Sequence, residues 1–335
     1  MTNQLEVPQQ DNSQTKNILA IAALCMGVLA YSSGSIFIRL CEAEITPYGT
    51  VFDRVAFGTI AFGFWKGVNA LNNGANNEKP IQEKLDGKDI WLLVAMAALF
   101  LAFQGLWAWS VSHTALAIST VLASIKPIFT CLLAWLLWGQ RFGNKFLIGM
   151  IIAIAGASAI GLDDLQIGTN KIQGDIAAFL VAILEAAYLL AIEKLRTKID
   201  STTIMLWCCG IGTLLSLPIL LLTEDRVFPY SVNGWIFVTA LVLIDQVLGQ
   251  GLLAYSLKKF SSGVVALVLL LEPVLVAIAA WVVFGEKLSL FDWVALFVIL
   301  FGLFLAVSSQ PTKINTDKNS TLGFDSTSQK PKQII

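Results

Sequence analysis

Ten times along this chain of 335 residues, roughly twenty consecutive positions pass with few or no charges. A helix that crosses the hydrocarbon core of a bilayer needs about 20 mostly apolar residues. In lipid, every backbone polar group must also be satisfied within the fold. The ten segments cover 17–40, 48–65, 90–111, 115–138, 146–162, 172–193, 201–223, 232–257, 260–285 and 288–309. They are continuous runs, not the short alternating strands of a membrane barrel. The pattern predicts an all-α integral membrane protein of ten transmembrane helices. Composition agrees: 13% of residues are charged, about half the roughly 25% of a soluble domain, and mean hydropathy is +0.73. A water-soluble body of this size could not hide that much apolar surface. Soluble enzymes, nucleic-acid binders and disulfide scaffolds are excluded. The net charge of −1 names no acidic or basic partner.

Residues 1–16 form a polar N-terminal tail, and the apolar run after it exceeds the roughly 7–15 residues of a cleaved leader's core. It reads as a retained helix. With the N-terminus in the cytoplasm and strict alternation, twelve Lys and Arg fall on the cytoplasmic side before the C-terminal tail is counted. Only Arg39, Lys171, Arg226 and Lys287 fall on the other. The positive-inside rule therefore predicts a multi-pass protein of the cell membrane with both termini cytoplasmic. Trp65, Trp91, Trp138, Trp235 and Trp293 lie near segment ends, as in an interfacial aromatic belt. Residues 310–335 are rich in Ser, Thr, Lys and Asn and read as a disordered cytoplasmic tail.

The chain also repeats itself. At an offset of 146 residues, Gln104 falls on Gln250, Gly105 on Gly251, Ala108 on Ala254 and Ser110 on Ser256. Further on, Pro127 meets Pro273, Trp135 meets Trp281, Gly139 meets Gly285 and Gly156 meets Gly302. Apolar stretches coincide by chance at Leu, Val and Ala, but rarely at Pro, Trp, Gly and Gln together. The units span 17–162 and 172–309, five helices each. An odd number forces the second copy into the membrane the other way up, the inverted-repeat plan of many secondary transporters, with the substrate site near the midplane between the copies.

The fourth helix of each unit ends in a similar way: Pro127 to Trp138 followed by Gly139-Gln140-Arg141, and Pro273 to Phe284 followed by Gly285-Glu286-Lys287. Together with Ser33-Gly34-Ser35 in the first segment and Arg54 early in the second, these runs resemble the EamA repeat of the drug/metabolite transporter superfamily. The likeness covers roughly 17–308. It implies two inverted five-helix repeats and export of a metabolite or amino acid, often with protons as coupling ion. Two positions depart from the family pattern: Gln140 replaces the usual Glu of the first turn, and Lys126 stands where an uncharged residue is normal.

Charges at mid-membrane are costly, about 2.5–3.5 kcal/mol each on insertion scales, so they mark function. Lys126, Glu185, Asp245 and Glu272 lie near the centres of the fourth, sixth, eighth and ninth segments. Lys126 and Glu272 are equivalent under the 146-residue offset and opposite in charge, which predicts a central polar cavity bounded by both. One cation faces three acids, so the other carboxylates must pair elsewhere, meet water or stay protonated. Asp245, Glu185 and Glu272 are the proton-coupling candidates. The substrate candidates are Lys126 and Glu272 with Gln104, Gln250, Thr130 and Tyr188. On a continuous helix Ser119, Ala123, Lys126 and Thr130 share a face, and Tyr188 shares one with Glu185. The plain alternatives are a fixed Lys126–Glu272 bridge, hydrogen-bonded carboxyls without a transport role, and amides that only join helices.

Asp53 and Arg54 are adjacent and do not face each other, so each needs its own partner. Arg54 is the gate candidate. The cluster from Tyr31 to Ser35 reads either as a kink lining the cavity or as close packing. His113 reads as solvated, and the Cys208-Cys209 pair as lipid-facing or packed. The chain has no P-loop, zincin, Rossmann or nucleophile-elbow motif and one His. The expectation is a non-enzymatic secondary carrier with no cofactor and no metal, whose partners are a small polar solute, lipid and protons, with no nucleic acid and a homodimer left open. The rival readings are an uncoupled facilitator, a lipid-like flippase of the same fold, and a non-transporting scaffold.

Overall fold

A computed structural model describes residues 11–74, 85–113, 119, 122–162, 172–223, 228–284 and 290–308. Ten helices follow in order: α1 (Asp11–Cys41), α2 (Pro47–Gly74), α3 (Gly87–His113), α4 (Lys126–Trp138), α5 (Asn144–Leu162), α6 (Ile172–Leu195), α7 (Ser201–Thr223), α8 (Val232–Ser256), α9 (Ser262–Val268 through Glu272–Phe284) and α10 (Leu290–Val307). Among the described residues there is no strand. Six helices are long and apolar enough to cross a membrane, and apolar stretches of α4, α5 and α10 are shorter. α1 begins at Asp11, inside the stretch read as a tail, because a helix need not stop where the hydrocarbon ends. The tail over 310–335, the turn over 285–287 and most of the fourth segment before Leu122 lie outside the described residues.

Packing follows the repeat. α2 packs on α7, α4 on α9 and α5 on α10, so three helices of one half each meet their own counterpart in the other. α1 packs on α8, and α6, its counterpart, packs on α3. Likewise α1 meets α9 and α6 meets α4. Exchanging the halves maps this set of contacts onto itself, the signature of a pseudo-twofold axis in the membrane plane.

The α5–α10 contact shows the symmetry at atomic detail. A Cβ on Gly302 would lie 2.5 Å from the Ala153 nitrogen and 2.6 Å from the Gly149 oxygen. A Cβ on Gly156, the partner of Gly302 at the 146-residue offset, would lie 2.8 Å from Ile299 and 3.1 Å from the Ala295 oxygen. Ala295 and Ile299 are in turn the partners of Gly149 and Ala153. Backbones approach closely because these positions are small. The opposite flank of α10 presents Phe297, Phe301 and Phe304, all exposed on the surface that lipid would cover. Trp65, Trp91, Trp235 and Trp293 are also exposed.

Two departures from regular helix position the polar residues. The first lies before the prolines of α4 and α9. Residues 124–125 form a turn ahead of Lys126-Pro127, and a 3₁₀ turn over Leu269–Leu271 precedes Glu272-Pro273. Proline lacks an N–H and clashes with the carbonyl four residues back, so each helix breaks at mid-span and restarts on the charged residue. The second lies in α8, where Leu241–Gln250 are wound as π-helix, a rare geometry that is frequent at functional sites. Its counterpart, α3, is α-helical throughout. At the end of α4, Gly139 takes φ 65° and its N–H bonds back to the Trp135 oxygen at 2.8 Å. A left-handed residue there stops the helix most cheaply as glycine, which accounts for the glycine of the repeated turn.

Candidate functional site

The two broken helices carry Lys126 and Glu272 to the same place. Lys126 Nζ lies 3.6 Å from Glu272 Oε2, so equivalent positions of the two repeats meet as an ion pair, the contact named above as the plain alternative to a cavity between them. A closer partner comes from α6: Lys126 Nζ donates to Glu185 Oε1 at 2.7 Å. Lys126 is 5% exposed. One ammonium thus serves two carboxylates in a site shielded from water, where a charge is tolerated only if paired.

One helical turn beyond Glu185, Tyr188 donates its hydroxyl to Gln250 Oε1 at 3.2 Å. Its ring packs on Phe100 and Phe103, with centroids 5.6 and 5.5 Å away. The other face of this neighbourhood belongs to Arg54. Its Nη2 lies 2.7 Å from Asp245 Oδ2, and its Nε donates to Gln246 Oε1 at 2.6 Å. The guanidinium also sits 5.4 Å from the Phe100 ring centroid, a cation–π distance. Phe100 therefore touches both the tyrosine and the arginine. The π-helical turn lets the adjacent residues Asp245 and Gln246 both reach Arg54. Gln246 continues to Cys209, donating to Sγ at 3.3 Å.

Gly34 makes room for this arrangement. A Cβ there would lie 2.6 Å from the Asp245 carboxyl carbon. α1 runs unbroken through residues 31–35, and Ser32 and Ser33 donate to their own helix's carbonyls. Of the two readings of that cluster, close packing is the one observed.

Beside Arg54, Asp53 is fully buried, and neither carboxylate oxygen has a hydrogen-bond partner among the described residues. Counted as ionised, the two ion clusters hold two cations, Lys126 and Arg54, against three acids: Glu185, Glu272 and Asp245. Among the described residues this leaves one negative charge in excess of the cations paired with it.

The other sequence candidates are placed as follows. Thr130 is fully buried and donates to the Lys126 carbonyl at 2.9 Å. Ser119 pairs with the Ser110 hydroxyl at 2.8 Å. The turn at 124–125 interrupts the helix between Ala123 and Lys126, so a single face through Ser119, Ala123, Lys126 and Thr130 no longer follows from their spacing. Gln104 is half-buried with no hydrogen bond among the described residues, whereas its counterpart Gln250 is bonded to Tyr188. His113 is not simply solvated: it stacks on Trp109 with centroids 4.2 Å apart, and its Nδ1 is 2.8 Å from the Trp109 carbonyl. Cys208 and Cys209 are fully buried and packed. Sequence reasoning missed Gln246 and the burial of Asp53. Neither had a visible signal beyond its adjacency to a charged residue.

Comparison with known proteins agrees with this architecture. Residues 18–162 and 172–308 each match the EamA-like transporter family. An uncharacterized transporter of Archaeoglobus fulgidus is 24% identical over 89% of this chain and 99% of its own length. A probable terminal-alkyne amino-acid exporter of Streptantibioticus cattleyicolor is 22% identical over 80% of this chain and 86% of its own. The pseudopaline exporter CntI of Pseudomonas aeruginosa is 24% identical over 57% of this chain and 64% of its own. A solved crystal structure shares the fold with a TM-score of 0.72 at 18% identity, over 85% of this chain and 98% of that one. Two matched repeats of five helices, related by a pseudo-twofold axis and covering almost the whole chain, make this multi-pass membrane protein a member of the EamA-like transporter family.

Proposed function

We propose that the chain is a secondary carrier of the cytoplasmic membrane, with both termini in the cytoplasm. It exports or exchanges a small polar metabolite of amino-acid type by alternating access, with protons as the coupling ion. The observation that carries this reading is the cluster of Lys126 and Glu272, on the two broken helices, with Glu185 of α6 at the interface of the repeats. A zwitterion suits it. Its carboxylate takes the place of a glutamate on Lys126, and its ammonium takes the glutamate so released, so no charge is stranded in a dry site. A cationic solute or a proton answers the remaining negative excess. The relatives named as exporters of pseudopaline and of a terminal-alkyne amino acid support the substrate class.

The test is uptake into proteoliposomes from a pooled amino-acid and metabolite mixture, with and without an imposed pH gradient. Gradient-driven uptake lost in Asp245→Asn or Glu272→Gln supports the coupled carrier. Uptake indifferent to the gradient favours the uncoupled facilitator. The reading falls if normally inserted Lys126→Ala and Glu272→Gln proteins transport as well as the parent.

A further inference from the structure

At each end of the bundle a polar clasp ties one repeat to the other, and the two clasps occupy equivalent places. At one end, Glu44 stands three residues before α2. It accepts the Ser231 hydroxyl and the backbone N–H groups of Ser231 at 3.1 Å and Tyr230 at 3.3 Å, where α8 begins. At the other end, Lys198 stands three residues before α7. It donates to Asp89 at 2.8 Å and lies 3.8 Å from Asp86, where α3 begins. α7 is the counterpart of α2, and α8 of α3. Each clasp therefore ties the first loop of one repeat to the third helix of the other.

The chemistry differs while the logic is shared. Both ends set a carboxylate at a helix N-terminus, where unpaired N–H groups and the helix dipole favour negative charge. At the α8 end the acid itself crosses between repeats. At the α3 end the acid is resident: Asp89 accepts the Asp86 N–H at 2.9 Å, and a lysine crosses to it. Each clasp joins the two repeats at its own end, across parts that would separate if that end opened, and both are engaged in the same structure.

We propose that Glu44–Ser231 and Lys198–Asp89 are the latches of the outer and cytoplasmic gates, closed together here in an occluded molecule and released one at a time. This rests on the reading of the chain as an alternating-access carrier. The hydrogen-exchange rates of backbone amides in the full chain, held in nanodiscs without substrate, test it. Glu44→Ala is expected to raise exchange about tenfold at 228–234, the scale of a charge-assisted hydrogen bond, and to lower it at 86–90 and 197–203. Lys198→Ala is expected to do the reverse, and Lys198→Arg, which keeps the cation facing Asp89, to leave the parent pattern. A variant that merely loosened its own end would not slow exchange at the far one. Loosening at the near end with the far end unchanged would overturn the alternating-access reading and the latches with it. No change at the near end would overturn the latches alone, as would a Lys198→Arg protein that loosens like Lys198→Ala.

Discussion

Replacing Lys126 with Met removes one positive charge and keeps most of the side chain's volume. In the parent, the ammonium lies 2.7 Å from Glu185 and 3.6 Å from Glu272. At an effective dielectric constant near 20, unit charges at these separations attract by about 6 and about 5 kcal/mol. Withdrawing the ammonium from water offsets several kcal/mol of that. The expected net loss is the roughly 3–5 kcal/mol typical of deleting one partner of a buried pair. Much of it comes from the two carboxylates left facing each other, not from the missing bond. A drop of that size lowers the unfolding midpoint by roughly 4–7 °C in a chain of this length. The assay heats aliquots of detergent-purified protein and measures the monodisperse fraction left by size exclusion. Adding Glu185→Gln to Lys126→Met neutralises the more deeply buried acid and should recover about half the loss. Adding Glu272→Gln should recover less, because that side chain is 25% exposed and farther away. An unchanged midpoint in Lys126→Met, or no recovery with Glu185→Gln, would refute the reasoning.

Three further outcomes follow from the same geometry. Arg54→Lys keeps the charge, but one ammonium does not reproduce the fork that engages both Asp245 and Gln246; a loss of about 1–3 kcal/mol is expected, read as a lower midpoint, and an unchanged midpoint would count against the fork. Gly302→Ala should cost about 1–3 kcal/mol by overpacking the α5–α10 contact, whereas Gly143→Ala, with nothing within 4 Å of its new methyl, should sit near the parent; equal midpoints would contradict the close approach. The Ser231 hydroxyl and the amides around it hold the Glu44 carboxyl below the usual carboxylate range. Because its pKa is lowered by folding, its contribution is complete above the unfolded value near 4.3 and is lost only as pH falls through the lower folded value. Exchange at 228–234, corrected for intrinsic rate, should therefore be unchanged between pH 7 and pH 5, and opening in that interval would show that Glu44 is not so held.

Much of the architecture was legible before any coordinates, because lipid demands contiguous apolar runs and because Pro, Trp, Gly and Gln rarely coincide by accident. The offset also paired Lys126 with Glu272. It could not reveal that Glu185 lies nearer, since that depends on how α4 rotates against α6. Arg54 and Gln246 are 192 residues apart, and nothing local to either names the other. The face drawn through Ser119, Ala123, Lys126 and Thr130 assumed a continuous helix, whereas Pro127 signals a break whose register only packing decides. Glu44 and Lys198 sit in short loops and carry no intramembrane penalty, so composition gave them no prominence.

The ten π-wound residues of α8 have a consequence for direction. In an inverted repeat, letting each half adopt its counterpart's conformation turns the molecule inside out. Were the halves identical, the two forms would have equal energy by symmetry alone. The halves are not identical: Asp245 and Gln246, in the wide turn that holds Arg54, correspond at the 146-residue offset to Leu99 and Phe100, so under the proposed alternating access that degeneracy is lifted there. A preferred resting orientation is then a property of the chain itself, present before any solute or gradient acts on it.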